Sequence, residues 1–331
     1  MTTRAVHTPR PGGAAQPPAS RPGAGRRFLR AAAIAATVPY LTLKTAWLAG
    51  SHLGIPDGSV LLEPGRPFFT VLNGLSLVMD SSVVLLVLVL TRPWGQRVPS
   101  WLLLLPVFIA TGLLTPIVLG FPGQLLLRGA GLGPDEAARA AQPPFLDPWV
   151  FHVVYPGFII QAIALTGLFV PYARERWGRS WQGVLEERLP SPTGVVAGAA
   201  AAMAAVVAAT HLYWAFGGTA GHDADQIAQY SSDAGAVSFV HALCALTAGV
   251  GAVLLAGGGD RRAWWPLVMA WTGAAATLCW GLWMMTAVLG GDSGQGEPTT
   301  TATYLIYAGQ MIVGLLAVSV MARFLAERRT G

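Results

Sequence analysis

Charge is what this chain has least of. Only 11% of its 331 residues are Asp, Glu, Lys or Arg, while 53% are hydrophobic. Water-soluble domains carry about 25% charged residues, so most of this chain has no aqueous surface to cover. Lysine is scarcer still: of 21 basic residues, Lys44 is the only lysine. Cysteine is limited to Cys244 and Cys279. Both sit in the middle of apolar runs, where a small buried thiol is the plain reading and an extracellular disulfide framework is excluded. There is no Walker loop, dinucleotide glycine fingerprint, nucleophile elbow or HExxH pair, and the paired acidic motifs of prenyl-diphosphate enzymes are missing too. The segment His222-Asp223-Ala224-Asp225 lacks the spaced oxygen ligands and glycine of a calcium loop and reads as solvated charge.

Long apolar runs are what is there. Eight lie near 31–50, 68–90, 99–120, 148–171, 193–216, 235–257, 263–289 and 302–323. About 20 residues at 1.5 Å each cross about 30 Å of hydrocarbon, so each run is long enough to span. The expected fold is all-α: a polytopic membrane protein with eight transmembrane helices in a lipid bilayer. The net charge of +5 does not point to nucleic acid, because it comes from where arginine is placed. Arginines crowd the N-terminal tail, the segments 92–97, 174–188 and 261–262, and the C-terminus, whereas the intervening loops carry acids such as Asp57, Glu63, Asp135, Asp223, Asp233 and Asp292. The positive-inside rule then places both termini in the cytoplasm, and the plasma membrane is the expected location. Residues 1–27, rich in Pro, Gly, Ala and Arg without periodicity, read as a disordered basic tail. Arg26-Arg27-Phe28-Leu29-Arg30 resembles a twin-arginine export signal. Positive residues are expected before a first span in any case, and seven more spans follow, so 31–50 reads as retained.

The chain also repeats itself. At a constant offset of 167, Trp47 falls on Trp214, Gly50 on Gly217, Gly54 on Gly221, and Lys44 on His211. At an offset of 152, Tyr155 and Gly157 fall on Tyr307 and Gly309, and Glu175-Arg176 on Glu327-Arg328. The reading is two four-helix repeats, 28–177 and 193–331, joined by a cytoplasmic linker, 178–192. Four spans is an even number, so the repeats insert in parallel, related by an axis along the membrane normal.

Ionisable groups inside spans cost about 2.5–3.5 kcal/mol each on insertion scales, so each needs a reason. They are Lys44, Asp80, His152, His211 and His241. By residue counting, Lys44, His152, His211 and His241 share one level, roughly 9 Å in at 1.5 Å per residue, and Asp80 lies deeper. Asn73 and Asp80 share a helix face two turns apart. With Trp214, these seven residues are the candidate lining of a small polar pocket open to the outside. Lys44 either pairs with Asp80 or another pocket group, or snorkels to the interface. His211 is either a neutral imidazole bonded between helices, beside Trp214 and the close-approach glycines, or part of a ligand, proton or metal site. His211, His241 and Cys244 are weak metal candidates, since no pair has HxxxH spacing; zinc, copper or haem iron would suit imidazoles, but no cofactor is expected.

The stretch His211-x-x-Trp214-x-x-Gly217-Gly218 resembles the signature of a family of bacterial four-helix membrane domains of unknown role. The Arg-rich, Ala/Gly-rich text is similar to actinobacterial integral membrane proteins. The first half departs from that signature, with Lys44 where the motif has His. The resemblance implies a membrane fold and no activity. Three functions stay open: binding or moving a small solute or ion, an intramembrane redox or metal-dependent enzyme, and a structural partner or homo-oligomer in a membrane complex. The missing catalytic motifs disfavour the second. Topology is the directly testable part: reporter fusions after Arg97, Arg188 and Arg262 should report cytoplasm, and fusions in 121–147 and 221–233 should report the outside. A cytoplasmic signal from 121–147 would sink the eight-span arrangement.

Overall fold

The computed structural model describes residues 23–62, 67–134, 145–291 and 299–330. Among them are nine α-helices. They are α1 (Ala24–Leu48), α2 (Pro67–Thr91), α3 (Ser100–Gly129), α4 (Pro148–Trp181), α5 (Thr193–Ala215), the short α6 (Ala224–Ala228), α7 (Ser232–Gly257), α8 (Trp264–Gly291) and α9 (Thr301–Thr330). Two short strands, β1 (Val184–Glu186) and β2 (Gly259–Arg262), pair antiparallel. Seven helices, α2 to α5 and α7 to α9, are long and apolar enough to cross a membrane. The chain is therefore an all-α integral membrane protein. The eighth expected run coincides with α1, whose 25 residues carry Arg26, Arg27, Arg30 and Lys44, and it is not among the seven.

Three expected boundaries shift. The tail expected over 1–27 gives way to helix at Ala24; residues 1–22 lie outside the described residues, as does the surface helix expected at 135–142. Helix α3 runs on to Gly129, into the expected outer loop, despite Pro106, Pro116 and Pro122 within it. Proline is tolerated in membrane helices where other groups re-satisfy the freed backbone. Helix α4 runs to Trp181, past the expected end of its repeat, because Arg176 anchors its last turns. The guanidinium donates to the carbonyls of Gly95 (3.4 Å) and Val98 (2.5 Å) and lies over the rings of Tyr172 and Trp177.

The second half packs on alanine. Ala197, Ala200, Ala204 and Ala208 of α5 meet Ala242, Ala245, Ala248 and Ala252 of α7 and Ala270 and Ala274 of α8 in one buried cluster. Small side chains let helix backbones approach closely where lipid supplies no hydrophobic drive between helices. A methyl added at Gly273 would run into the backbone of Ala248. The first half has a bulkier core of Val83, Leu86, Val87, Leu90, Leu103, Val107, Leu165 and Leu168. The halves meet mainly through α3 and α8. Gly112 lies against the carbonyl of Ala275, Trp271 Nε1 donates to Thr111 Oγ1 (3.3 Å) and Trp280 Nε1 to the carbonyl of Leu113 (3.2 Å). At the end of this contact, Arg128 pairs with Asp233 and Gln124 donates to the Asp233 carbonyl (3.2 Å).

Helices α1 and α5 stop in the same way. Gly50 and Gly217 take φ of 89° and 84°, which favours glycine. Each helix end is closed by the pair of bonds of a Schellman motif: Ser51 N–H to the Ala46 carbonyl and Gly50 N–H to Trp47, then Gly218 N–H to Tyr213 and Gly217 N–H to Trp214. The indole N–H of Trp47 donates to the carbonyl of Leu53 (2.8 Å), and that of Trp214 to the carbonyl of Ala220 (2.9 Å). Beyond each turn a glycine sits under the start of a later helix, Gly54 against Val150 of α4 and Gly221 against Ala302 of α9. The carbonyl of Gly54 accepts from Asp147 N–H (2.9 Å), and that of Gly221 from the hydroxyl of Thr300. Trp47→Phe and Trp214→Phe should therefore each lower the unfolding temperature in detergent, at a cost of about 1 kcal/mol for one lost hydrogen bond. An unchanged midpoint in both variants would show that the indole bonds do not hold the turns.

Candidate functional site

The seven residues singled out from the sequence fall into two polar clusters and one outlier. Lys44 and His211 occupy matching places, each four residues before the last residue of its helix, Leu48 in α1 and Ala215 in α5.

The first cluster joins α1, α2 and α4. Lys44 Nζ donates to Asn73 Oδ1 at 2.6 Å and lies 5.0 Å from the ring centroid of Tyr40 and 4.8 Å from that of Trp47. Tyr40, Lys44 and Trp47 are spaced i, i+4, i+7 and so share a face of α1, as Asn73, Ser76 and Asp80 share a face of α2. Asp80 is 6% exposed and Asn73 2%. The Asp80 carboxylate is held by Gln161 of α4, whose Nε2 donates to Oδ1 at 3.2 Å, and its Oδ2 has no hydrogen-bond partner among the described residues. Of the alternatives open for Lys44, the structure has it bonded to a pocket amide, Asn73, while Asp80 is bonded to the amide of Gln161.

The second cluster joins α5, α7, α8 and α9. His211 Nε2 lies 3.0 Å from Gln310 Nε2. The His211 ring stacks on His241 with centroids 5.3 Å apart and planes at 28°, and meets Trp214 edge-on at 5.4 Å. Trp280 meets His241 edge-on at 5.7 Å. The other face of this group is closed by His222, stacked on Trp214 at 4.4 Å and bonded to Gln226. His211, His241 and Gln310 are 5%, 7% and 1% exposed. Three of their polar atoms, His211 Nδ1, His241 Nδ1 and Gln310 Oε1, are buried without a partner among the described residues. An amide nitrogen can only donate, so as placed His211 Nε2 accepts and its proton sits on Nδ1; a half-turn of the Gln310 amide reverses those roles.

His152 joins neither cluster. It is exposed, with Nδ1 2.7 Å from the carbonyl of Pro148 in its own helix and its ring edge toward Phe121. The single outward pocket expected from residue counting is thus divided. Clefts of about 180 Å³ between α5 and α7 and about 220 Å³ between α1 and α4 near Arg26 are lined by other residues. Cys244 is buried on α7 one turn beyond His241, yet among the described residues no three His, Cys, Asp or Glu side chains converge as metal ligands. Gln161, Gln310, Tyr40 and Trp280 were not anticipated from the sequence. A glutamine in an apolar run is a usable signal, because an amide in hydrocarbon seeks a partner on another helix.

No family model matches the chain, and neither a curated protein nor a solved structure does. The likeness drawn from the His211 motif therefore rests on that motif alone. The Asp80–Gln161 contact can be tested by itself. Gln161→Leu strips a buried carboxylate of its amide donor and should cost about 1–3 kcal/mol of thermal stability. Asp80→Leu with Gln161→Leu, which removes both partners, should recover most of that loss. A double variant less stable than Gln161→Leu would refute the contact.

Proposed function

We propose that the chain is a plasma-membrane protein of eight spans, both termini cytoplasmic, built as two parallel four-helix repeats over 24–181 and 193–330. Its role is to bind or move a small polar solute or ion. The repeat is supported by bonds that recur at the offsets read from the sequence. The Schellman closures, the indole bonds and the glycine contacts match at 167, and Arg176 over Tyr172 matches Arg328 over Phe324 at 152. A repeat that starts with α1 requires α1 to span, and Lys44 is compatible with that because its nitrogen is housed on Asn73 and two aromatic rings.

One observation carries the functional reading. Three polar atoms of the second cluster lie buried without partners among the described residues, while Lys44, at the sequence position matching His211, is bonded to Asn73. Buried polar groups are nearly always hydrogen-bonded, so unfilled capacity concentrated in one place suits a small polar guest. The test is flux in proteoliposomes, read with a pH dye and by light scattering, across protons, ammonium, sodium, potassium and small neutral solutes. At least one should cross faster than in protein-free vesicles, and His241→Ala should slow it about tenfold, the equivalent of one hydrogen bond to a polar guest. Rates equal to protein-free vesicles for every solute, with no solute-dependent change in unfolding temperature, would overturn the reading.

A further inference from the structure

We infer that the second cluster recognises ammonium or a small primary ammonium ion, the group whose place in the first cluster is taken by the Lys44 side chain. The inference rests on the two-repeat reading proposed above.

The first cluster shows what such a site is made of. Its cation, Lys44 Nζ, has one amide oxygen at 2.6 Å and two aromatic faces within 5.0 Å. Among the described residues it has no carboxylate partner; the nearest acid on α2, Asp80, is bound by Gln161. An amide acceptor and aromatic faces therefore house a half-buried ammonium here, and both attract it more strongly where water is excluded.

The second cluster has the same materials without the cation. Trp214 stands where the first half has Trp47 and makes the same indole bond. Trp280 adds a second indole. Acceptors are available in either orientation of the Gln310 amide. As placed, Gln310 Oε1 is free; turned over, His211 Nδ1 offers its lone pair instead. His241 Nδ1 is also without a partner among the described residues. At the position of Lys44 stands His211, a side chain too short to supply a tethered ammonium and able to accept from a free one. A bare alkali ion is well served by a carbonyl oxygen but poorly by imidazole nitrogen, and a neutral solute gains little from the rings. An N–H-bearing monocation uses both.

The experiment uses the purified full-length chain in detergent. Ammonium, methylammonium, tetramethylammonium, sodium and potassium chlorides are compared at equal ionic strength by thermal unfolding and calorimetric titration. The expected result is a saturable rise in unfolding temperature with ammonium and methylammonium only, at one site per chain. His241→Gln, which changes the acceptor and keeps a polar side chain, should weaken binding about tenfold. His211→Lys supplies the second cluster with its own ammonium, and should abolish the response while remaining folded. Lys44→Met vacates the first cluster and should raise the stoichiometry to two. Wild-type protein that responds to ammonium no more than to sodium, or a folded His211→Lys that binds like wild type, would overturn the inference. A response to potassium instead would overturn the ligand class while leaving the broader solute-binding reading standing. Silence toward all five salts would overturn the inference and leave the broader reading to the flux measurement.

Discussion

Hydrocarbon offers no water to a backbone carbonyl or N–H, so each helix end near it must be closed by the protein itself. In this chain the closing is done by tryptophan as much as by backbone. Trp47 and Trp214 each send an indole N–H six residues onward to a carbonyl of the following turn. That bond folds the chain back over its own helix end and sets a glycine carbonyl against the first turn of a later helix. The positions of α4 and α9 relative to α1 and α5 follow from these two turns. Lys44 and His211, one turn before the tryptophans, are in turn fixed at the level where α2, or α7 and α9, can meet them.

The two parts of the chain pack on different side chains. Alanine against alanine brings α5, α7 and α8 close enough that Gly273 has no room for a methyl. Valine and leucine make up the core of the first half. Tight backbones leave side chains little choice of direction, which is why the second cluster can hold imidazoles in a near-parallel stack. In the first cluster a long, flexible lysine spans to the next helix instead.

Much of this was legible in the sequence. Apolar runs place the helices well because their length is fixed by the bilayer, and the Trp-Gly-Gly spacing points to two equivalent turns because φ above zero favours glycine at Gly50 and Gly217. Partner choice was less legible. Residue counting puts His152 level with His211, but counting along a helix gives depth and not azimuth, and His152 turns outward onto Pro148. Pairing with Lys44 was one alternative for Asp80; an amide from α4 reaches it instead, and Gln161 carries no charge to betray its importance. The end of α4 was misplaced because arginines after an apolar run look like a loop, although here Arg176 binds carbonyls of the neighbouring turn and keeps the helix wound.

The short strand β1 belongs by sequence to the connection between the halves, but not by mechanics. It pairs with β2, between α7 and α8, and buries Leu185 in the alanine-rich core. Arg328, near the end of α9, donates to the carbonyls of Gln182 and Val184, and Leu189 N–H reaches the carbonyl of Ala256 (3.1 Å). The connector is thus stitched to the later half at three places and acts as its plinth. The segment from Gln182 to Leu189 is thereby fastened to the later helices as one piece with them.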